Sequence, residues 1–212
     1  MPFLVVLDVD STLIENEVIE LLAEEAGSLE LVADVTARAM NGEIDFAESL
    51  RLRVATLEGL PVSAFETVRA RVEVTKGVPE LVAGLHAVGG RIGVVSGGFH
   101  EIVDPFAAEL RLDYCRANRL ETRDGVLTGR VLGGVIHAEA KADAIAEWAL
   151  DAGVPMRCTV AVGDGANDLR MMERAGLSIA FDAKAPVRQA ADLVLDERDL
   201  SLVLGALGLD AG

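Results

Sequence analysis

Three short apolar runs, FLVVL, RIGVV and CTVAV, break off into DVDST, SGGF and GDGAND, and each is followed by a segment of helical periodicity. No other feature limits the fold as much. Apolar runs this short, bounded by turn residues, read as strands buried on both faces, and strands alternating with helices form a mostly parallel sheet covered on both sides. Ligands bind such sheets outside the carboxyl ends of the strands. The three polar tails are therefore expected to converge on one rim.

The alternation is not uniform. Between the first strand and Gly77 the chain shows helical periodicity without a convincing strand, over roughly 15–26, 29–41, 45–58 and 61–74, broken at GS, NG and GLP. This reads as an inserted helical subdomain. The expected division is an α/β core of residues 1–13 and 77–212 with a helical cap of residues 14–76. In the core, a helix over 78–88, the strand RIGVVS, a helix from Phe99 and a β segment near DYCRANRL follow in order. LETRDGVLTGRVL then turns at Asp124–Gly125 as a hairpin. A helix over 139–151, CTVAVGD, a helix from Asn167, LSIAF, a short helix, LVL and a closing helix complete the series.

Composition excludes several partners. The formal charge of −16 argues against nucleic acid and anionic membrane surfaces, while leaving room for a small anion held by a local donor cluster. No apolar stretch has the length of a membrane span, and the N-terminus lacks a signal-peptide pattern, so a cytoplasmic protein is expected. Cys115 and Cys158 are 43 positions apart without CxxC spacing, which predicts two reduced thiols in or near strands. His86, His100 and His137 have no matching partners and read as structural, and Gly89-Gly90 precedes a strand, unlike a dinucleotide loop.

The chemistry sits on the strand tails. On an extended chain Asp8 and Asp10 point to the same side, and two charges about 6 Å apart at an effective dielectric of about 20 repel by about 3 kcal/mol. A cation, a shared proton or exposure must offset that. GDGAND brings Asp164 and Asp168 to the same rim, and hard oxygen ligands with room for water and phosphate suit Mg²⁺. Taken alone, GDG is an ordinary turn with Asp168 as a helix cap. Ser96 offers a hydroxyl, and Gly97 and Gly98 let backbone N–H groups approach an anion at the start of the next helix. Lys141 opens the helix EAKADAIAEWAL, where the dipole disfavours a cation. A surface lysine is its usual reading, and contact with a phosphate is the alternative. On the segment 45–58, Phe46, Leu50, Arg53, Val54 and Leu57 share one face, so Arg53 lies within an apolar stripe while Arg51 turns to the polar side. Arg53 either snorkels, pairs with an internal acid or grips a ligand.

In order, DVDST, VVSGG, EAK and GDGAND resemble the four motifs of the haloacid dehalogenase-like phosphohydrolase superfamily. With DVDSTLIENE, SLRLRV, VVSGGF, ANRL, DGVLTG and AVGDGANDL, the resemblance narrows to its phosphoserine phosphatase family and covers nearly the whole chain. The resemblance implies a Rossmann-like core with a mobile cap, and Mg²⁺-dependent hydrolysis of O-phospho-L-serine, the step that completes serine biosynthesis. It implies Asp8 as nucleophile and Asp10 as acid and then base, with metal held by Asp8, the Asp10 carbonyl and Asp164, and Asp168 in support. It further implies that Ser96, Gly97, Lys141 and Asn167 bind substrate, that Thr12 supports the loop through its backbone, that Arg53 holds the substrate carboxylate and Glu17 the ammonium, and that Met40 and Phe46 close the cap. Other readings are a related enzyme acting on another small phosphomonoester such as phosphohomoserine, a phosphotransferase, or a phospho-accepting receiver-like module. The DxDST motif and the cap argue against the receiver, because a lasting phospho-signal needs neither a base at Asp10 nor a lid.

Overall fold

The run LVVL forms a strand, β1 (Leu4–Leu7), whose four side chains are all fully buried. Both edges and both faces of it are covered. The computed structural model describes residues 2–40 and 43–209, Met40 by its backbone alone. After β1 come a wide turn over Val9–Leu13 and the helices α1 (Val18–Glu25), α2 (Leu29–Met40), α3 (Phe46–Ala55) and α4 (Ala64–Arg69). There follow α5 (Val78–Ala87), β2 (Arg91–Phe99), α6 (His100–Glu109), β3 (Tyr114–Arg123), β4 (Val126–Leu132) and α7 (Ala138–Asp151). The chain continues through β5 (Thr159–Gly163), α8 (Leu169–Arg174), β6 (Leu177–Phe181), α9 (Ala185–Ala190), β7 (Leu193–Leu195) and α10 (Leu202–Ala206).

The strands form one sheet in the order β4-β3-β2-β1-β5-β6-β7. All pairs are parallel except the β3–β4 hairpin. Alternation along each strand sorts the core into two layers. Val5, Leu7, Val94 and Val162 join α5, α6 and the helical insertion on one face, and Leu4, Val6, Val95 and Ala161 pack with Ile145, Trp148, Met171 and Met172 on the other. Each such large side chain contributes about 1.5–3 kcal/mol by leaving water.

Register places the site. Leu7 lies opposite both Val94 and Val162, so the ends of β1, β2 and β5 are level and the residues just beyond them meet. Two element boundaries differ from the sequence reading. β2 runs on through SGGF to Phe99, and the helix begins at His100, because Gly98 and Ser96 continue an extended path instead of turning. The last insertion helix ends at Arg69, and residues 73–75 are instead extended, with an antiparallel bridge from Val74 to Ile14.

That bridge lies where the insertion joins the core, together with bonds from the Glu15 N–H to the Glu73 carbonyl (2.8 Å) and from the Thr75 N–H to the Leu13 carbonyl (2.9 Å). The insertion has a second attachment. Gly59, Leu60 and Val62 exchange backbone hydrogen bonds of 2.8–3.0 Å with Gly125 and Leu127 at the tip of the β3–β4 hairpin. No helix among the described residues is long and apolar enough to cross a membrane.

Candidate active site

Three strand ends supply the centre of the site. Asp8 follows β1 and extends it, its N–H donating to the Val162 carbonyl (3.0 Å). Its side chain is only 4% exposed and is held from both sides: Oδ1 accepts from the Val9 N–H (2.7 Å), and Oδ2 accepts from Lys141 Nζ (2.7 Å) and Asn167 Nδ2 (3.4 Å). The turn after it places Asp10 in extended geometry and Ser11 at φ +57°, a left-handed conformation that costs a non-glycine residue about 1 kcal/mol or more. This bend brings the Asp10 carboxyl back over the strand ends. There Oδ1 accepts from the Val18 N–H at the start of α1 (2.8 Å), and Oδ2 lies 3.4 Å from the Ser96 hydroxyl.

Lys141, 1% exposed, is no surface lysine. α7 carries it under the site, where its ammonium bridges Asp8 and Asp168 at 2.7 Å each. Burial alone would lower its pKa, but the two carboxylates outweigh burial and hold it above the ordinary lysine value. Asp168 accepts on both oxygens, from Lys141 on one and from the Gly165 N–H (3.1 Å) on the other. A side chain at Gly163 would put Cβ 2.3 Å from Asp168 Oδ2, so the glycine lets this carboxylate tuck beneath β5.

Around this centre, burial, and after it the charges of Glu17 and Asp8, pushes the Asp10 carboxyl up to about 8. Burial and the nearby Asp8 raise Asp164 as well, and burial raises Glu17. Oxygens of Asp8, Asp164 and Asp168 lie within 4.8 Å of one another. Carboxylate oxygens here outnumber the cations Lys141 and Arg53, and that donor set fits a hard divalent cation. Asp8, Asp164 and Asp168 could each offer it an oxygen, and of the three Asp164 is the one without a bond to Lys141.

The insertion closes over the rim. Phe46 opens α3 above Gly97, where a Cβ would lie 3.0 Å from the Phe46 ring. The Met40 side chain lies outside the described residues. Arg53 is half-buried on α3, its Nε 3.4 Å from the Ser49 carbonyl. Burial lowers its pKa, while the charges of Glu17 and Asp10 partly offset that. Glu17, just ahead of α1, accepts from the Ser11 hydroxyl at 2.8 Å.

One local expectation needs correction. The Gly98 N–H is not open to an anion, because it donates to Ser96 Oγ at 2.7 Å and lies in a strand. The Thr12 hydroxyl lies 3.4 Å from Asp164 Oδ1. Both contacts follow from the tightness of the rim, where short polar side chains find partners before solvent does.

A second polar cluster, His100, Asp104 and Cys115, also has metal-like spacing. It is already saturated. His100 Nε2 accepts from the Ala117 N–H (3.1 Å), so Nδ1 carries the ring proton and points it at Asp104 (2.6 Å), while the Cys115 thiol donates to the same oxygen (3.5 Å). Burial pushes that thiol up to about 12. His86 pairs with Asp113 (3.0 Å), and His137 caps α7.

Sequence reasoning assigned no role to Asn118, although it lies within ANRL. Buried on β3, it donates to the Gly97 carbonyl (2.8 Å) and accepts from the Ile136 N–H (2.9 Å), fixing the peptide beside Ser96. A fully buried amide inside a β segment is the signal that points to it. Asn118→Leu strands both partners, and urea denaturation is expected to show a loss on the order of 1–3 kcal/mol, with activity falling as Gly97 shifts.

Comparisons with known proteins agree with this geometry. The family model for haloacid dehalogenase-like hydrolase matches residues 5–173. The phosphoserine phosphatase of Streptococcus thermophilus is 51% identical over 204 residues, covering 96% of this chain and 95% of that protein. Phosphoserine phosphatase SerB2 of Mycobacterium tuberculosis is 50% identical over 99% of this chain, which spans 51% of that longer protein. A solved phospho-aspartyl intermediate analogue of phosphoserine phosphatase superposes with a TM-score of 0.90 at 42% identity, covering 97% of this chain and 98% of that one. Level strand ends carrying Asp8, Ser96 and Asp164, a buried lysine beneath them and matches along almost the entire chain lead to one conclusion: the protein belongs to the haloacid dehalogenase-like hydrolase family.

Proposed function

We infer that this protein is a phosphoserine phosphatase that hydrolyses O-phospho-L-serine to L-serine and phosphate through an aspartyl-phosphate. The observation that carries this reading is the pairing of an Asp8 carboxylate, fixed by Val9 and Lys141, with an Asp10 carboxyl raised to about 8 on the same turn. One has its oxygens fixed by Lys141 and the Val9 N–H, and the other, raised by burial, keeps a proton to give, which divides nucleophile from acid.

Asp8 attacks phosphorus, with Lys141 and Ser96 facing the transferring oxygens. Asp10 gives its proton to the departing serine oxygen and, once ionised, takes a proton from the water that cleaves the aspartyl-phosphate. The Asp8 side chain, the Asp10 carbonyl and Asp164 would hold Mg²⁺, which would supply charge neutralisation and orientation of the phosphoryl group. Asn167 reaches Asp8 at 3.4 Å and serves the same oxygens. The helical insertion, residues 14–76, acts as the lid on a core of residues 1–13 and 77–212, with its closure assigned to Phe46 and Met40, and it excludes water during transfer. Two unpaired cysteines accord with a cytoplasmic location.

Specificity is assigned to Arg53 for the substrate carboxylate and Glu17 for its ammonium. Phosphate release from phosphoserine, phosphoglycolate, phosphoethanolamine and phosphohomoserine, with and without Mg²⁺, tests this. Phosphoserine is expected to lead the panel. Arg53→Met should cut its kcat/KM by about 10- to 100-fold, about 1.5–3 kcal/mol, yet leave phosphoethanolamine, which lacks a carboxylate, unchanged. A wild-type enzyme that handles phosphoglycolate as well as phosphoserine overturns the substrate assignment.

A further inference from the structure

The turn that aims Asp10 is strained at Ser11, and something must hold it. Ser11 has φ +57°, and the carbonyl of that residue accepts from Nη2 of Arg198 at 3.1 Å. Arg198 stands 187 positions away, in the segment between β7 and α10. Its other two nitrogens are also engaged. Nε pairs with Glu15 at 2.6 Å and Nη1 with Asp182 at 2.9 Å, while the guanidinium plane lies 5.5 Å over the buried Phe181 ring. With three acceptors and a stacking surface, the planar fork has one orientation available.

We propose that Arg198 is a positioning residue for the acid–base step and for ammonium recognition, clamping the Ser11 peptide so that Asp10 and Glu17 hold their places. This rests on the reading of Asp10 and Glu17 given above. Both residues depend on the clamped turn: Asp10 precedes Ser11 directly, and Glu17 accepts from the Ser11 hydroxyl at 2.8 Å. The adjacent residues extend the grip to the other strand joining the insertion to the core. Asp199 pairs with Lys76 at 2.8 Å, and the Leu200 N–H donates to the Lys76 carbonyl at 2.8 Å. A Cβ on Gly77 would strike Asp199 at 2.1 Å, so this segment lies against both crossings. An ion pair serving only stability would need neither the Ser11 carbonyl nor that proximity.

The test compares wild type, Arg198→Met, Arg198→Lys and, as a surface ion-pair control, Arg91→Met, on phosphoserine, phosphoglycolate and p-nitrophenyl phosphate, with melting temperature measured alongside. Arg198→Met is expected to lower kcat about tenfold on all three substrates and to raise KM severalfold for phosphoserine alone, since only that substrate offers Glu17 an ammonium. Arg198→Lys should recover part of kcat, because one ammonium cannot reach all three acceptors, and Arg91→Met should match wild type. Wild-type kinetics in Arg198→Met overturn the proposal, as does a loss shared equally by Arg91→Met. Should Arg198→Met fail to fold, Glu15→Gln with Asp182→Asn loosens the fork while keeping the arginine. The same split in kcat and KM then supports the proposal, and its absence overturns it. A wild-type enzyme idle on phosphoserine but active on p-nitrophenyl phosphate rejects the substrate reading instead, with the clamp then judged on kcat for the second substrate. Inactivity on all three rejects the clamp together with the acid–base role.

Discussion

Asp8→Asn is expected to fold normally and to release phosphate from phosphoserine at least about 10⁴-fold more slowly than wild type, the scale seen when a catalytic nucleophile is removed. The replacement has the same shape. Its carbonyl oxygen keeps the Val9 N–H, but the amide nitrogen then faces Lys141 and Asn167, two donors that previously met an oxygen. Flipping the amide only moves the conflict to Val9. The loss in stability stays modest because Asp168 still pairs with Lys141. The loss in rate does not, since an amide cannot form the acyl-phosphate. Circular dichroism and single-turnover phosphate release check the two halves, and undiminished turnover rejects the nucleophile assignment.

Lys141→Met is expected to reduce stability more than any surface substitution. It leaves Asp8 and Asp168 facing one another in a dry site, and breaking a buried ion pair from one side costs about 3–5 kcal/mol. The deficit should depend on pH. Burial and Asp8 already push the Asp168 carboxyl up, and only Lys141 and the Gly165 N–H oppose them. Without the lysine the folded state binds protons more tightly than the unfolded state, so the variant gains stability as pH falls from 8 toward 5. Wild-type protein shows a weaker form of the same dependence, because burial already raises the Asp168 carboxyl to about 7 against the pull of Lys141, so the deficit of the variant shrinks as pH falls. Urea denaturation of the metal-free proteins at both pH values measures the difference, and a constant deficit contradicts the buried-pair account.

The contrast between Lys141 and Arg198 shows what a sequence can display. Asp8, Ser96 and Asp164 are legible because each ends an apolar run, and parallel register forces such ends together regardless of what surrounds them. Lys141 is legible only in part. Its place at a helix start is unusual for a cation, but nothing local reveals the two carboxylates, Asp8 and Asp168, that it bridges. Arg198 has no local signal at all, because its acceptors come from Ser11, Glu15 and Asp182, which only the fold brings together. Gly98 misleads for the opposite reason. Its N–H has a plausible anion-binding role nearby, and the crowded rim supplies a side-chain partner, Ser96, instead.

The hydrogen bonds between residues 59–62 and the β3–β4 hairpin bear on protein engineering. Exchanging substrate preference between family members by grafting only the stretch between Leu13 and Gly77 would sever those bonds and leave a ragged seam at Gly125 and Leu127. A transplant that carries the hairpin tip along keeps the seam intact, so the natural unit of recombination here is discontinuous in the chain.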